Sequence, residues 1–124
     1  MIRARLDKNV DRARKDLESF VASQVNDLAV RSWQLAVDLS PVWTGSYRNA
    51  WTVSHSSPRY RYKRLSREFN PNAPKPSKPR IQLGRKPFKR VYLTNGSPYA
   101  ELVEFGGPNN PAHYVLQRVM EAVR

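Results

Sequence analysis

Residues 2–39 run without a glycine or a proline, and nothing else in the chain constrains its fold as strongly. Those two residues are the usual interrupters of a helix. Leu6, Val10, Ala13, Leu17, Phe20, Val21, Val25, Leu28 and Ala36 recur at steps of three and four, which predicts one long amphipathic helix. Ser40-Pro41 ends it, because proline disfavours the helical conformation of its predecessor. The polar side carries pairs such as Asp7–Asp11 and Arg12–Asp16, as an ordinary solvated face does. A helix of this length needs a sheet or a neighbouring subunit to cover its apolar stripe.

The remaining elements are short. Pro41-Val42-Trp43-Thr44-Gly45-Ser46 reads as a turn. Residues 49–55 then alternate, with Trp51, Val53 and His55 on one face, which predicts a half-buried strand. A second strand is expected over residues 90–94, closed by the turn chemistry of Asn95-Gly96-Ser97-Pro98. Tyr99–Phe105 fits helix and strand equally. Asn110 is placed to cap a last helix with Pro111 at its first position, and Ala112, Val115, Leu116, Val119 and Val123 form its apolar stripe. Trp43, Trp51, Tyr92, Tyr99 and Phe105 are expected in the core, and Gly45, Gly96, Gly106 and Gly107 at turns needing positive φ.

A chain of 124 residues makes one domain, 1–124, with a single modest core. Its net charge of +12 is unevenly placed. Residues 58–90 hold twelve basic side chains against the single acid Glu68, while residues 1–40 hold seven basic and six acidic. The same central segment holds six of the ten prolines, and Asn70–Lys78 reads as extended polyproline-like chain. Ile81 and Leu83 are placed for a brief strand on its return. Residues 58–90 are therefore expected to form a long basic arm between the two strands, an excursion that is uncommon in compact domains and is usually functional or disordered.

Within the arm, Arg59-Tyr60-Arg61-Tyr62-Lys63-Arg64 alternates cation and ring. Phosphate contacts plus rings for stacking are what single-strand binders use, yet the same pattern serves a strand whose tyrosines pack on a sheet. Arg67, Lys75, Lys78, Arg80, Arg85, Lys86, Lys89 and Arg90 extend the charge, which suits a phosphate backbone or an acidic neighbouring protein.

Catalytic chemistry is thin. Cysteine is absent, which removes disulfides, thiolate metal sites and thiol nucleophiles. Two histidines remain, with no G-x-S-x-G, no H-E-x-x-H and no phosphate-cradling loop. Glu101, Glu104 and His113 make a poor metal set, with His55 read as lining a strand and His113 as sitting in the first turn of the last helix. No cofactor is expected and no enzyme. No apolar run reaches the ~18 residues of a membrane span, and no signal-peptide core opens the chain, so a soluble intracellular product is expected. Glu104, between Val103 and Phe105, is either solvated or paired with a base such as Arg48.

The stretch Ser40-Pro41-Val42-Trp43-Thr44-Gly45-Ser46-Tyr47-Arg48-Asn49-Ala50 resembles the "P-x-x-T-G-x-L-R-x-S" turn of tailed-phage head–tail joining and tail-completion proteins. Ser97-Pro98-Tyr99-Ala100-Glu101-Leu102-Val103-Glu104-Phe105-Gly106 is similar to that family's "Y-A-x-x-V-E-F-G". The order and separation of the two blocks agree as well. The resemblance implies an α+β fold, with a long N-terminal and a short C-terminal helix packed on a small antiparallel sheet. It also implies a non-enzymatic virion protein, made in the host cytoplasm and assembled into a ring of six copies at the neck. There it joins a portal or adaptor to a tail terminus around the genomic DNA, with no membrane involved. By that analogy Pro41, Thr44, Gly45, Arg48, Tyr99, Ala100, Glu104, Phe105 and Gly106 are scaffold or subunit-contact positions. The alternative from the charge alone is a sequence-independent nucleic-acid-binding protein that grips phosphates with its arm.

Overall fold

A computed structural model describes residues 2–79 and 90–123. The uninterrupted N-terminal stretch forms one helix, α1, over Ile2–Leu39. At 1.5 Å per residue it is about 57 Å long, more than the body of a domain this size can cover. Its end is locked by side chains. The Ser40 hydroxyl donates to the Ala36 carbonyl at 2.5 Å and accepts the Trp51 indole N–H at 2.7 Å, while the Trp33 indole donates to the Trp51 carbonyl at 3.1 Å. Three buried polar groups are thereby satisfied at the junction of helix and sheet, where an unpaired one would cost about 1–3 kcal/mol.

After a single 3₁₀ turn at Arg48–Ala50, strand β1 (Trp51–His55) pairs antiparallel with β2 (Val91–Asn95), in a register that sets Trp51 opposite Asn95 and His55 opposite Val91. Both strands fall within two residues of expectation; β1 starts late because the 3₁₀ turn takes residues 48–50. Two strands alone are marginal in water and need a helix against one face. Here α1 supplies it. The core joins Trp33, Ala36, Val37, Tyr47, Trp51, Val103, Val115 and Val119, with Val53 and Leu93 packed on its edge. Ser54, on the other face of β1, is buried as well, and its hydroxyl donates to the Ser57 carbonyl where the chain leaves the sheet.

The ambiguous stretch at 99–105 is helical: α2 spans Ala100–Phe105, and only Val103 on it is buried. The last helix, α3, spans Val115–Ala122 and departs from expectation. Asn110 does not cap it. Its backbone N–H and C=O are both engaged with Gly107, so the chain turns back there and runs on to Tyr114, a left-handed residue at φ 49°. His113 thus lies ahead of the helix rather than in its first turn. The aromatic core is also redistributed. Trp51 is buried and Tyr92 half-buried, but Trp43, Tyr99 and Phe105 are exposed, and Trp33 and Tyr47 fill the interior instead. The fold is α+β, with a long N-terminal helix and a short C-terminal one on a small antiparallel sheet. The expected strand at Ile81 and Leu83 lies outside the described residues.

Candidate partner-binding arm and motif turns

Residues 58–79, the described part of the arm before the second strand, are tied to the body as a strap. The Arg59 carbonyl accepts the Thr94 hydroxyl, and the backbone of Arg61 lies against Gly96. A Cβ at Gly96 would fall 2.6 Å from the Arg61 nitrogen, so this glycine serves close approach and not positive φ. Further on, the Leu65 N–H donates to the Ser46 hydroxyl at 2.9 Å, and the Asn70 N–H donates to the Trp43 carbonyl at 2.7 Å. An Asx turn follows, with the Asn72 N–H on the Asn70 side chain, and it buries Ala73.

Ala73 meets the first motif. Gly45 sits at φ 85°, and a Cβ there would lie 2.6 Å from the Ala73 Cβ, so both conformation and space require glycine. Arg48 is buried and donates to the Ala73 carbonyl at 2.5 Å; Asn49 donates to the Pro74 carbonyl at 3.3 Å. Lys75 reaches Asp38 at 3.3 Å, an exposed pair worth little. Thr44 accepts the Ser46 N–H, holding the hydroxyl that receives Leu65, and Pro41 is half-buried at the end of α1. The motif turn is therefore the seat of the strap, a role that sequence reasoning missed. The only signal for it was a cluster of Ser, Arg and Asn donors around a glycine.

The cations of the arm face outward. Arg59, Tyr60, Arg61, Tyr62, Lys63, Arg64, Arg67, Lys75, Lys78 and Arg90 are all exposed; Arg80, Arg85, Lys86 and Lys89 lie outside the described residues. Residues 59–63 wall an open cleft of about 1,040 Å³ whose floor includes Asn49, Trp51 and Thr52 and whose far side is Pro76, Ser77 and Pro79. Both cations and rings border that cleft, with Tyr60 69 % and Tyr62 38 % exposed. Apart from Lys75, no arm cation forms a salt bridge among the described residues.

The second motif holds the last helix. Glu104 is not paired with Arg48. Its carboxylate accepts the N–H groups of Leu116 at 3.0 Å and Gln117 at 3.1 Å, capping α3 from a distant position and meeting the positive end of its dipole. Backbone ties run beside it, from His113 to the Val103 carbonyl and from Tyr114 to the Glu104 carbonyl. Gly106, at φ 78°, lies so close to Ala112 that a Cβ would stand 2.8 Å from its nitrogen. Burial, reinforced by the negative charge of Glu104, pushes the pKa of the Tyr47 phenol well above its usual value. The two motifs meet at an apolar pocket of about 340 Å³, where Trp43 from the first faces Tyr99, Leu102 and Val103 from the second. Trp43 also stands edge-on to His113 at 5.7 Å. Ala100 on the same helix is half-buried, and Phe105 is 70 % exposed.

Among the described residues no group of three His, Cys, Asp or Glu side chains is placed to hold a metal ion, and Glu104 is already engaged by α3. Among the same residues no helix is long and apolar enough to cross a membrane.

A family model described as "Bacteriophage HK97-gp10, putative tail-component" matches residues 4–106, from the first turns of α1 through the second motif. No curated protein and no solved structure matches the chain.

Proposed function

Because the chain belongs to the HK97-gp10-like family of bacteriophage tail components, we propose that it is a structural neck protein, one of six copies in a ring that joins head to tail. The coarser part of this rests on family membership alone: a structural tail protein with a place in the virion and contacts to other phage structural proteins. The finer part rests chiefly on one observation. The described part of the arm is held against the body with its eight cations, Arg59 to Lys78 and Arg90, turned outward. Repeated around a ring, such a strap makes a positive collar that suits an acidic portal, adaptor or tail terminus, or the DNA passing through the channel. In the two motif turns Arg48 and Asn49 hold the strap and Glu104 holds the last helix.

Immunogold labelling of purified virions tests the placement. Label confined to the head–tail junction is the expected result. Virions free of the protein would overturn the reading.

A second reading, sequence-independent binding of nucleic acid, is favoured by the cation- and ring-lined cleft beside residues 59–63. It predicts submicromolar duplex affinity at low salt that collapses as ionic strength rises. Deleting the arm is a poor test, because Ala73 and Leu65 are tied to the motif turn. Replacing Arg59, Arg61 and Lys63 with serine leaves those backbone ties in place, and an unchanged affinity would dispose of this reading.

A further inference from the structure

The cleft beside residues 59–63 has a composition that charge alone does not explain. One wall alternates Arg59, Tyr60, Arg61, Tyr62 and Lys63, and all five border the opening. Attraction to a negatively charged surface needs the cations and no rings. Yet Tyr60 is largely exposed, and among the described residues neither Tyr60 nor Tyr62 packs against another ring. Two aromatic faces stand beside three cations that no carboxylate neutralises among those residues.

The wall is held in place before anything docks on it. Thr94 donates its hydroxyl to the Arg59 carbonyl, the backbone of Arg61 lies against Gly96, and the Leu65 N–H donates to the Ser46 hydroxyl. With the backbone tied at these three points, docking there has little chain entropy left to remove. Across the opening stand Pro76, Ser77 and Pro79, two of them with φ fixed by the ring.

Shape and contents together select among polyanions. At about 1,040 Å³ the open cleft has the size of a small-ligand site. A duplex keeps its base faces stacked on one another, so it meets such a wall with phosphates alone and leaves the rings unused. An acidic peptide satisfies the cations and likewise offers the rings nothing to stack on. A single strand presents both a phosphate at every nucleotide and a free base face.

We propose that this cleft is a single-strand site, in which about three successive phosphates pair with Arg59, Arg61 and Lys63 while a base stacks on Tyr60. The proposal rests on the nucleic-acid reading above and narrows it, from any phosphate backbone to a strand whose bases are free. Every base has a π-face, so the site is tolerant of sequence.

Fluorescence anisotropy of the full-length protein with labelled oligonucleotides tests it. At low salt a short oligothymidylate is expected to bind about tenfold more tightly than a duplex of the same length. Tyr60→Ala, at an exposed position, lowers the single-strand affinity about tenfold and leaves its salt dependence unchanged. Replacing Arg59, Arg61 and Lys63 with serine instead reduces the slope of log K against log salt by about 2, the share of three phosphates on a single strand. Four results overturn the proposal: a duplex bound as tightly as the single strand, an abasic oligonucleotide bound as tightly as oligothymidylate, a Tyr60→Ala variant of unchanged affinity, or displacement by polyglutamate at equal charge, which would give the cleft to an acidic protein. Equal affinity for duplex and single strand, lost in the serine variant, removes the stacking site and keeps the nucleic-acid reading; binding to neither removes both.

Discussion

The two halves of α1 share one unbroken backbone, yet residues 2–20 hold seven apolar side chains against eleven in residues 21–39, and their environments are opposite. Residues 22–40 supply Trp33, Ala36 and Val37 to the core, and Trp33 and Ser40 join the buried hydrogen bonds that tie helix to strand. Residues 10–20 leave Val10, Leu17 and Phe20 in solvent. The difference shows that amphipathic spacing announces a face to be covered without saying by which molecule. In the second half the cover is the chain's own sheet and last helix. In the first half the described residues leave Val10, Leu17 and Phe20 without such cover.

That contrast can be broken or sharpened by mutation. Trp33→Ala is expected to cost the isolated protein about 3–5 kcal/mol, since it opens a cavity and leaves the Trp51 carbonyl unpaired; urea unfolding followed by far-UV circular dichroism reads it. A loss below 1 kcal/mol would mean that the second half is no better anchored than the first. Gly45→Ala comes next, at about 2–3 kcal/mol, because φ 85° is strained for alanine and the new methyl collides with Ala73. Faster proteolysis within residues 59–75 should accompany it, and an unchanged cleavage pattern would show that the strap does not depend on this seat. Glu104→Ala should cost about 1–2 kcal/mol through the lost cap on α3, with Glu104→Gln intermediate. A change within ~0.5 kcal/mol would show that the carboxylate is solvated instead. The smallest effect belongs to the other half of the helix: Phe20→Ala is expected to shift the stability of the free chain by no more than about 0.5 kcal/mol. A large loss of stability there would place Phe20 in the chain's own core and remove the contrast.

Two errors of sequence reasoning share a physical cause. Trp43 and Phe105 were expected inside on hydrophobicity, but Trp43 lies on a turn tip and Phe105 on a helix of six residues whose single buried side chain is Val103. Trp33 was passed over although Ala22, Ala29, Trp33 and Ala36 keep a helical spacing of their own. A helix with two apolar lines offers two candidate core faces, and periodicity alone does not choose between them. Asn110-Pro111 carried the chemistry of a cap, but the backbone of Asn110 was already engaged by Gly107, so the helix waited for a carboxylate from Glu104. A cap supplied from a distant position leaves no mark in the local sequence.

The sequence by itself determined what rests on local chain physics. An unbroken helix follows from the absence of Gly and Pro, two short strands from alternation, and a dense block of positive charge from composition. The two motif blocks, in their order, carried the family as well. Tertiary structure decided which face of α1 lies inside, that the basic segment is strapped to the 43–49 turn, and that Glu104 serves α3 and not Arg48. Each of these depends on partners far apart in sequence, Ser46 with Leu65, Arg48 with Ala73, Glu104 with Leu116. Such pairings exist only once the core around Trp33, Tyr47 and Val115 has brought the segments together.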